Sequence, residues 1–294
     1  MAGMLGDQNG EIMIKAKVIE DSISEEGKRI TTLEVTFHRY ILSEFNTHRV
    51  FSRNFSSSRA IPTKKLLEQV RTNPAMPVHW GKNQTGMQAH EELEGIALEE
   101  AKKQWRFAAI DAADNAERLA NLGLHKQLVN RCVETYLYVT GIVTSTEWDN
   151  FFELRDHPDA QPEFRVLAKE MRKALNESLP NHLGWGEWHL PYVKESEKLI
   201  ATNDYYDSML WQKVSAARCC RVSYLKHDGT TPSIDEDLAL FDRLAGSIPL
   251  HASPLEHQAT PCNIPMDDAY SGNLKGWIQY RKLWEKEMYR ETHE

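Results

Sequence analysis

Thr47-His48-Arg49-Val50-Phe51-Ser52-Arg53-Asn54-Phe55-Ser56-Ser57-Ser58-Arg59 is the densest polar run in the chain, with three arginines, a histidine, an asparagine and four serines. Arginines offer fork-shaped donors, and serine hydroxyls with turn N–H groups can fill the gaps between them, so the run suits a phosphate or a carboxylate. Composition alone fits a solvated turn before a helix better, because short motifs match by chance.

Outward from this run, the flanks read as a small sheet followed by many helices. Met1 to Gly10 reads as a loose end. Glu11 to Glu20 and Ile30 to Phe37 alternate apolar and polar residues and predict two strands, paired across the turn at Glu25 to Lys28. A short helix is expected from about Leu42 into Thr47. Helices are then predicted over Lys64 to Arg71, Gly86 to Leu122, His125 to Val139, Thr146 to Leu154, Glu163 to Leu179, Ser208 to Tyr224, Ser233 to Ala245 and Asn273 to Tyr289, while Asn181 to Tyr192 reads as a packed loop. The predicted class is α+β, with a small antiparallel-rich sheet packed among helices in one domain over 1–294.

The 294 residues are 41% hydrophobic and 27% charged, which fits a globular protein with a sizeable core. A formal net charge of −8 argues against a chain that coats nucleic acid. Cys132, Cys219, Cys220 and Cys262 form no CxxC pair, and no metal site is expected. Cys132, Cys219 and Cys220 read as core residues on helices. No apolar run approaches a membrane span or a signal peptide, so a cytoplasmic protein is expected.

His48, Arg49, Ser52, Asn54, Ser57 and Arg59 fall at the spacing Arg-His-Arg, Ser-x-Asn, Ser-x-Arg. This resembles the signature of the flavin-dependent thymidylate synthases. Thr47 stands in place of the first arginine, Phe55 in place of a usual glutamate, and Glu44 in place of a nucleotide-binding glutamine. A second stretch, Glu147 to Arg155 followed by Asp159-Ala160-Gln161-Pro162-Glu163-Phe164-Arg165, resembles that family's Arg-Ser-Leu-x-Asn-Phe-Leu-x-Leu-Arg and His-Ala-Gln-x-Glu-Ile-Arg. Two further pieces, Ala216-Ala217-Arg218 to Ser223 and His251-Ala252-Ser253-Pro254-Leu255-Glu256-His257, are similar to segments that precede the signature in the family but follow it here. The chain thus resembles a circular permutant, an arrangement tolerated where termini are close and exposed. Residues 60–122 and 179–206 have no counterpart in the family.

The resemblance implies C5 methylation of dUMP to dTMP, with FAD as cofactor, methylene-tetrahydrofolate as carbon donor and NADPH as reductant. It implies that His48, Arg49, Asn150 and Ser253 touch the flavin, and that Ser57, Ser58, Arg59 and Arg131 hold the nucleotide. Arg155 is implied as the group that favours the ionised pyrimidine, which a fixed guanidinium can do; read alone, it would be a helix-end arginine. Gln279 and Arg281 are expected to supply the nucleotide-binding groups that Glu44 and Thr47 do not offer. A homotetramer with sites between subunits is also implied. Two alternatives stay open: a methylase or hydroxymethylase of another pyrimidine nucleotide such as dCMP, and a non-catalytic helical assembly protein.

Overall fold

The computed structural model describes residues 13–200, 209–222, 230–245, 247, 249–262 and 268–293. The loose end expected at Met1 to Gly10, the start of the first predicted strand at Glu11, and Ser208, Ser223 and Tyr224 at the ends of a predicted helix lie outside them.

Strands β1 (Lys15–Ser24) and β2 (Arg29–His38) form the hairpin read from the alternation. Gly27 takes φ 76° in its turn, a conformation with no steric cost for glycine. Next come α1 (Leu42–Phe45), β3 (Ser52–Phe55), α2 (Thr63–Thr72), α3 (Gly95–Asn121), α4 (Lys126–Val129) and β4 (Tyr138–Ser145). Then follow α5 (Asp149–Arg155), α6 (Pro162–Glu177), β5 (Asn181–Leu183), α7 (Glu195–Ile200), α8 (Leu210–Arg221), α9 (Ile234–Ala245), β6 (Ala259–Pro261), β7 (Trp277–Gln279) and α10 (Tyr280–His293). The main sheet runs β3-β4-β2-β1-β5, with only the β1–β5 pair parallel; β6 and β7 form a separate two-stranded sheet. The α+β class read from the sequence is what the chain adopts.

Five sequence readings change. The helix expected over Asn273 to Tyr289 is strand β7 followed by α10 from Tyr280, and the loop expected over Asn181 to Tyr192 opens with strand β5. The helix expected over His125 to Val139 is instead α4, a 3-10 segment over Asn130–Tyr136, and the start of β4. Val139, Thr140, Ile142, Val143 and Thr144 are β-branched and pack better on a pleated surface than on a helix. The helix expected from Gly86 begins only at Gly95, because an irregular loop bridges Gly81 to Glu92 first. Part of the polar run, read as a turn, is the edge strand β3.

Strand periodicity sends alternate side chains to opposite faces. On one face Leu33, Val35, Phe37, Val139 and Val143 meet Phe45, Phe51 and Phe151, together with the α6 stripe Phe164, Leu167, Ala168, Met171 and Leu175. On the other face Ile142 meets Cys219, and Ile30 meets Ala259 and Trp277. A third cluster sets Ala109, Ala113 and Ala116 of α3 against Leu66, Leu67 and Val70 of α2.

The second face also carries a buried polar chain. Ser22 Oγ meets His189 Nδ1 (2.9 Å), His189 Nε2 meets Thr32 Oγ1 (2.8 Å), Thr32 meets Thr144 (2.6 Å), and Thr144 meets His257 Nδ1 (2.8 Å). Burial drives both histidines down to about 3, so each ring is neutral at ordinary pH.

Candidate functional site

α1 ends where the Thr47 N–H and Oγ1 both donate to the Glu44 carbonyl (3.0 and 2.7 Å), so Thr47 acts as a helix stop. The chain then turns inward at His48, whose ring is buried and packs against Phe51 and Phe151 with centroids 5.7 and 5.0 Å away. Arg155 Nε donates to His48 Nε2 at 3.0 Å. A guanidinium can only donate, so Nε2 is the acceptor and Nδ1 carries the proton. Burial, reinforced by the charges of Arg155 and Arg53, depresses His48 to about 4. The ring is therefore neutral at physiological pH, as the hydrogen bond requires.

Arg155 closes α5. Its guanidinium lies over the Phe164 ring at 4.4 Å, and Nη1 sits 3.9 Å from Glu44 Oε2. Among the described residues no hydrogen bond engages its two terminal nitrogens. Stacking fixes the plane, His48 fixes the rotation, and a partly exposed pair of N–H donors remains facing out. Arg49 and Asn150 are exposed at this same end of the sheet and make no hydrogen bond or ion pair among the described residues.

β3 alternates as a strand should. Arg53 and Phe55 take one face: Arg53 Nη1 donates to the His48 carbonyl (2.5 Å), and Phe55 joins Phe37 and Phe45 at 5.5 Å each. Opposite Phe55 stands Gly141, where an added Cβ would come against Phe55 Cδ1 and clash with the ring. Phe55 is thus a packing residue matched to a glycine. Ser52 and Asn54 take the other face and grip the segments that the resemblance finds displaced. Asn54 Nδ2 donates to the Cys219 and Cys220 carbonyls (2.8 and 3.4 Å), and Ser253 Oγ donates to Asn54 Oδ1 (3.3 Å). Ser52 Oγ donates to Asn273 Oδ1 at 3.0 Å. Helix α8 and the Ser253 segment therefore meet the signature within one chain.

Gln279 and Arg281, expected to supply nucleotide contacts, lie on this face and are engaged inside the chain. The Gln279 amide nitrogen, in a residue only 2% exposed, donates to Ser52 Oγ, Asn273 Oδ1 and the Glu256 carbonyl. Arg281 pairs with Glu256 and with Glu285.

The remaining predicted residues gather at the far end of β3. Ser57, Arg59 and Arg131 are exposed. Ser58 is buried and donates to Glu134 Oε1 at 2.6 Å, while Arg39 and Arg131 pair with the same carboxylate at 3.0 Å each. Burial opposes ionisation of Glu134, but the Ser58 hydroxyl, Arg39 and Arg131 outweigh it and hold the carboxyl below its usual range. Glu134 was not singled out from the sequence; its one signal is its place three residues after Arg131. The four-residue strand covers about 13 Å, so the Arg155 group and the Arg59–Arg131 group lie at opposite ends of β3.

The cysteines differ in part from their reading. Cys219 is core, and burial pushes its thiol and that of Cys220 up, away from the thiolate. Cys132, expected in the core, is exposed because its segment is a surface 3-10 turn and not an amphipathic helix. Among the described residues no group of three or more His, Cys, Asp or Glu could hold a metal ion, and no helix is long and apolar enough to cross a membrane.

No curated protein sequence matches the chain. Among solved structures, it is similar to the UMP/dUMP methylase PolB from Streptomyces cacaoi bound with 5-Br UMP, at 16% identity over 57% of this chain and 90% of that one, with a TM-score of 0.46. It is also similar to the flavin-dependent thymidylate synthase ThyX from Helicobacter pylori complexed with FAD and dUMP, at 20% identity over 50% of this chain and 67% of that one, with a TM-score of 0.35. Residues 28–181, which span β2 to the start of β5 and carry both ends of the β3 site, match the family model described as thymidylate synthase complementing protein. The chain belongs to that family, the flavin-dependent thymidylate synthase-like methyltransferases its signature resembles.

Proposed function

We propose that this protein adds a one-carbon unit to carbon 5 of a pyrimidine deoxynucleoside monophosphate, with methylene-tetrahydrofolate as carbon donor and NADPH as reductant. The transformation the signature supports is dUMP to dTMP, and Glu44 favours the same chemistry on dCMP as a second reading. The observation that carries the proposal is Arg155, oriented by His48 and Phe164, whose terminal nitrogens make no hydrogen bond among the described residues. Two fixed N–H donors can stabilise negative charge that develops on a pyrimidine during attack from C5. Bound FAD would relay the one-carbon unit and the hydride.

The donors at hand fit a flavin in part. Arg49 and Asn150 are exposed and make no hydrogen bond or ion pair among the described residues, and Ser253 is half-buried with its hydroxyl on Asn54. His48 offers Nδ1 only, since Nε2 serves Arg155. For the phosphate, Arg59, Arg131 and Ser57 are exposed donors, whereas the Ser58 hydroxyl is held by Glu134. The separation of these groups along β3 favours sites completed between copies, in line with the expected homotetramer.

Reconstitution with FAD, NADPH and methylene-tetrahydrofolate, followed by mass spectrometry of dUMP and dCMP, tests the proposal. A one-carbon gain on either base is expected. A protein that binds no flavin and alters neither nucleotide would instead be a non-catalytic assembly protein.

A further inference from the structure

Resting on that reading of Arg155, we propose that Glu44 is a specificity-determining residue and that the preferred base is cytosine, read by the Glu44–Arg155 pair. Glu44 lies in the last turn of α1 with a half-exposed carboxylate. Its Oε2 is 3.9 Å from Arg155 Nη1, too long for a hydrogen bond, so neither group consumes the other. Among the described residues the Glu44 carboxylate accepts no hydrogen bond. Arg155 cannot swing to close the gap easily, because Nε is held by His48 and its plane lies on Phe164.

The two side chains therefore present an order of functions set by the held Arg155: an acceptor at Glu44, then a donor at Nη1, then a donor at Nη2. Cytosine carries the complementary order along its polar edge, with the N4 amine as donor and N3 and O2 as acceptors. Carboxylates accept from the cytosine amine, and arginine forks donate to paired acceptors. Neutral uracil fails at two of three positions: its O4 would face a carboxylate with no proton between them, and its N3–H would face an N–H. Loss of the N3 proton beside Arg155 relieves the second mismatch and leaves O4 against the Glu44 carboxylate. A site whose polar groups are left unpaired by the wrong base discriminates strongly against it. Because Glu44 is half open to water, the discrimination here is moderated by solvent.

Calorimetric titration of the FAD-loaded protein with dCMP and with dUMP tests this directly, alongside product analysis for each. The expected result is that dCMP binds about tenfold or more tightly than dUMP, and that Glu44→Gln removes most of this difference by supplying a neutral amide. Glu44→Ala should also shrink it, and circular dichroism confirms the fold of both variants. Equal binding, tighter binding of dUMP, or an unchanged ratio in Glu44→Gln overturns the assignment while leaving C5 alkylation standing. Failure to bind either nucleotide overturns both.

Discussion

His48 and Arg155 lie 107 residues apart in sequence, yet Nε2 of the first accepts a 3.0 Å hydrogen bond from Nε of the second. That bond needs a neutral imidazole, and burial with two neighbouring guanidinium groups provides it by lowering His48 to about 4. His48 is therefore a positioning residue for the donor fork, and the aromatic cluster around it serves the same end.

Replacing His48 with alanine should leave Arg155 free to rotate. A fall in kcat of about tenfold to hundredfold is expected, because misplacing a catalytic group by an ångström can cost that much. Glutamine, which can offer an acceptor oxygen, should recover part of the loss. Steady-state kinetics on both variants checks this, and an unchanged kcat in His48→Ala would remove the positioning role.

The same bond sets an acid limit. His48 stays neutral as pH falls from 7 and gains its proton only as pH approaches about 4. The His48-dependent share of kcat should hold flat across neutral pH and drop near that limit. A His48→Gln protein, with nothing to titrate there, should lack that limb of the profile.

Phe55 and Gly141 form a matched pair across β3 and β4. Gly141→Ala should destabilise the protein by about 1–3 kcal/mol through overpacking. In a Phe55→Ala background the same change should be nearly neutral, since the ring it meets is gone. A double-mutant cycle by urea denaturation measures this coupling, and additive effects would contradict the packing account.

His189 and His257 are buried at both ends of the Thr32–Thr144 link, and their folded values are depressed to about 3 from the usual 6.5. The unfolded chain binds protons first on acidification, so their contribution is present above 6.5 and is lost as pH falls toward 3. At pH 5 each should cost about 2 kcal/mol relative to pH 7. His189→Asn should show a shallower decline in denaturation midpoint between those two pH values. An equal slope in wild type and variant would show that the buried rings do not govern it.

The hairpin, α2, α5, α6 and α9 were legible because each keeps one hydrophobic period and a clear start, such as Pro162 at the first turn of α6. β4 was not, because the amphipathic stretch before it continues in helical spacing up to Val139. The spacing of the signature was legible in the sequence, but the partners its residues take in the fold were not. Asn54 reaches the Cys219 carbonyl across 165 residues, and nothing local to either residue signals it. Glu44 and Phe55 stood out only as departures from a pattern. The fold shows that Phe55 fills the space above a glycine, whereas Glu44 stands open beside Arg155.

In the proposed function, Arg155 activates a pyrimidine for chemistry at C5. This is tested by release of tritium from C5-labelled dUMP and dCMP by the FAD-loaded protein, supplied with methylene-tetrahydrofolate and NADPH, and by Arg155→Ala under the same conditions. Release with at least one nucleotide is predicted for the wild type, with a loss of about hundredfold or more in Arg155→Ala while the flavin spectrum stays unchanged. Equal release from the two proteins, or none from a wild type that binds flavin and nucleotide, would contradict it.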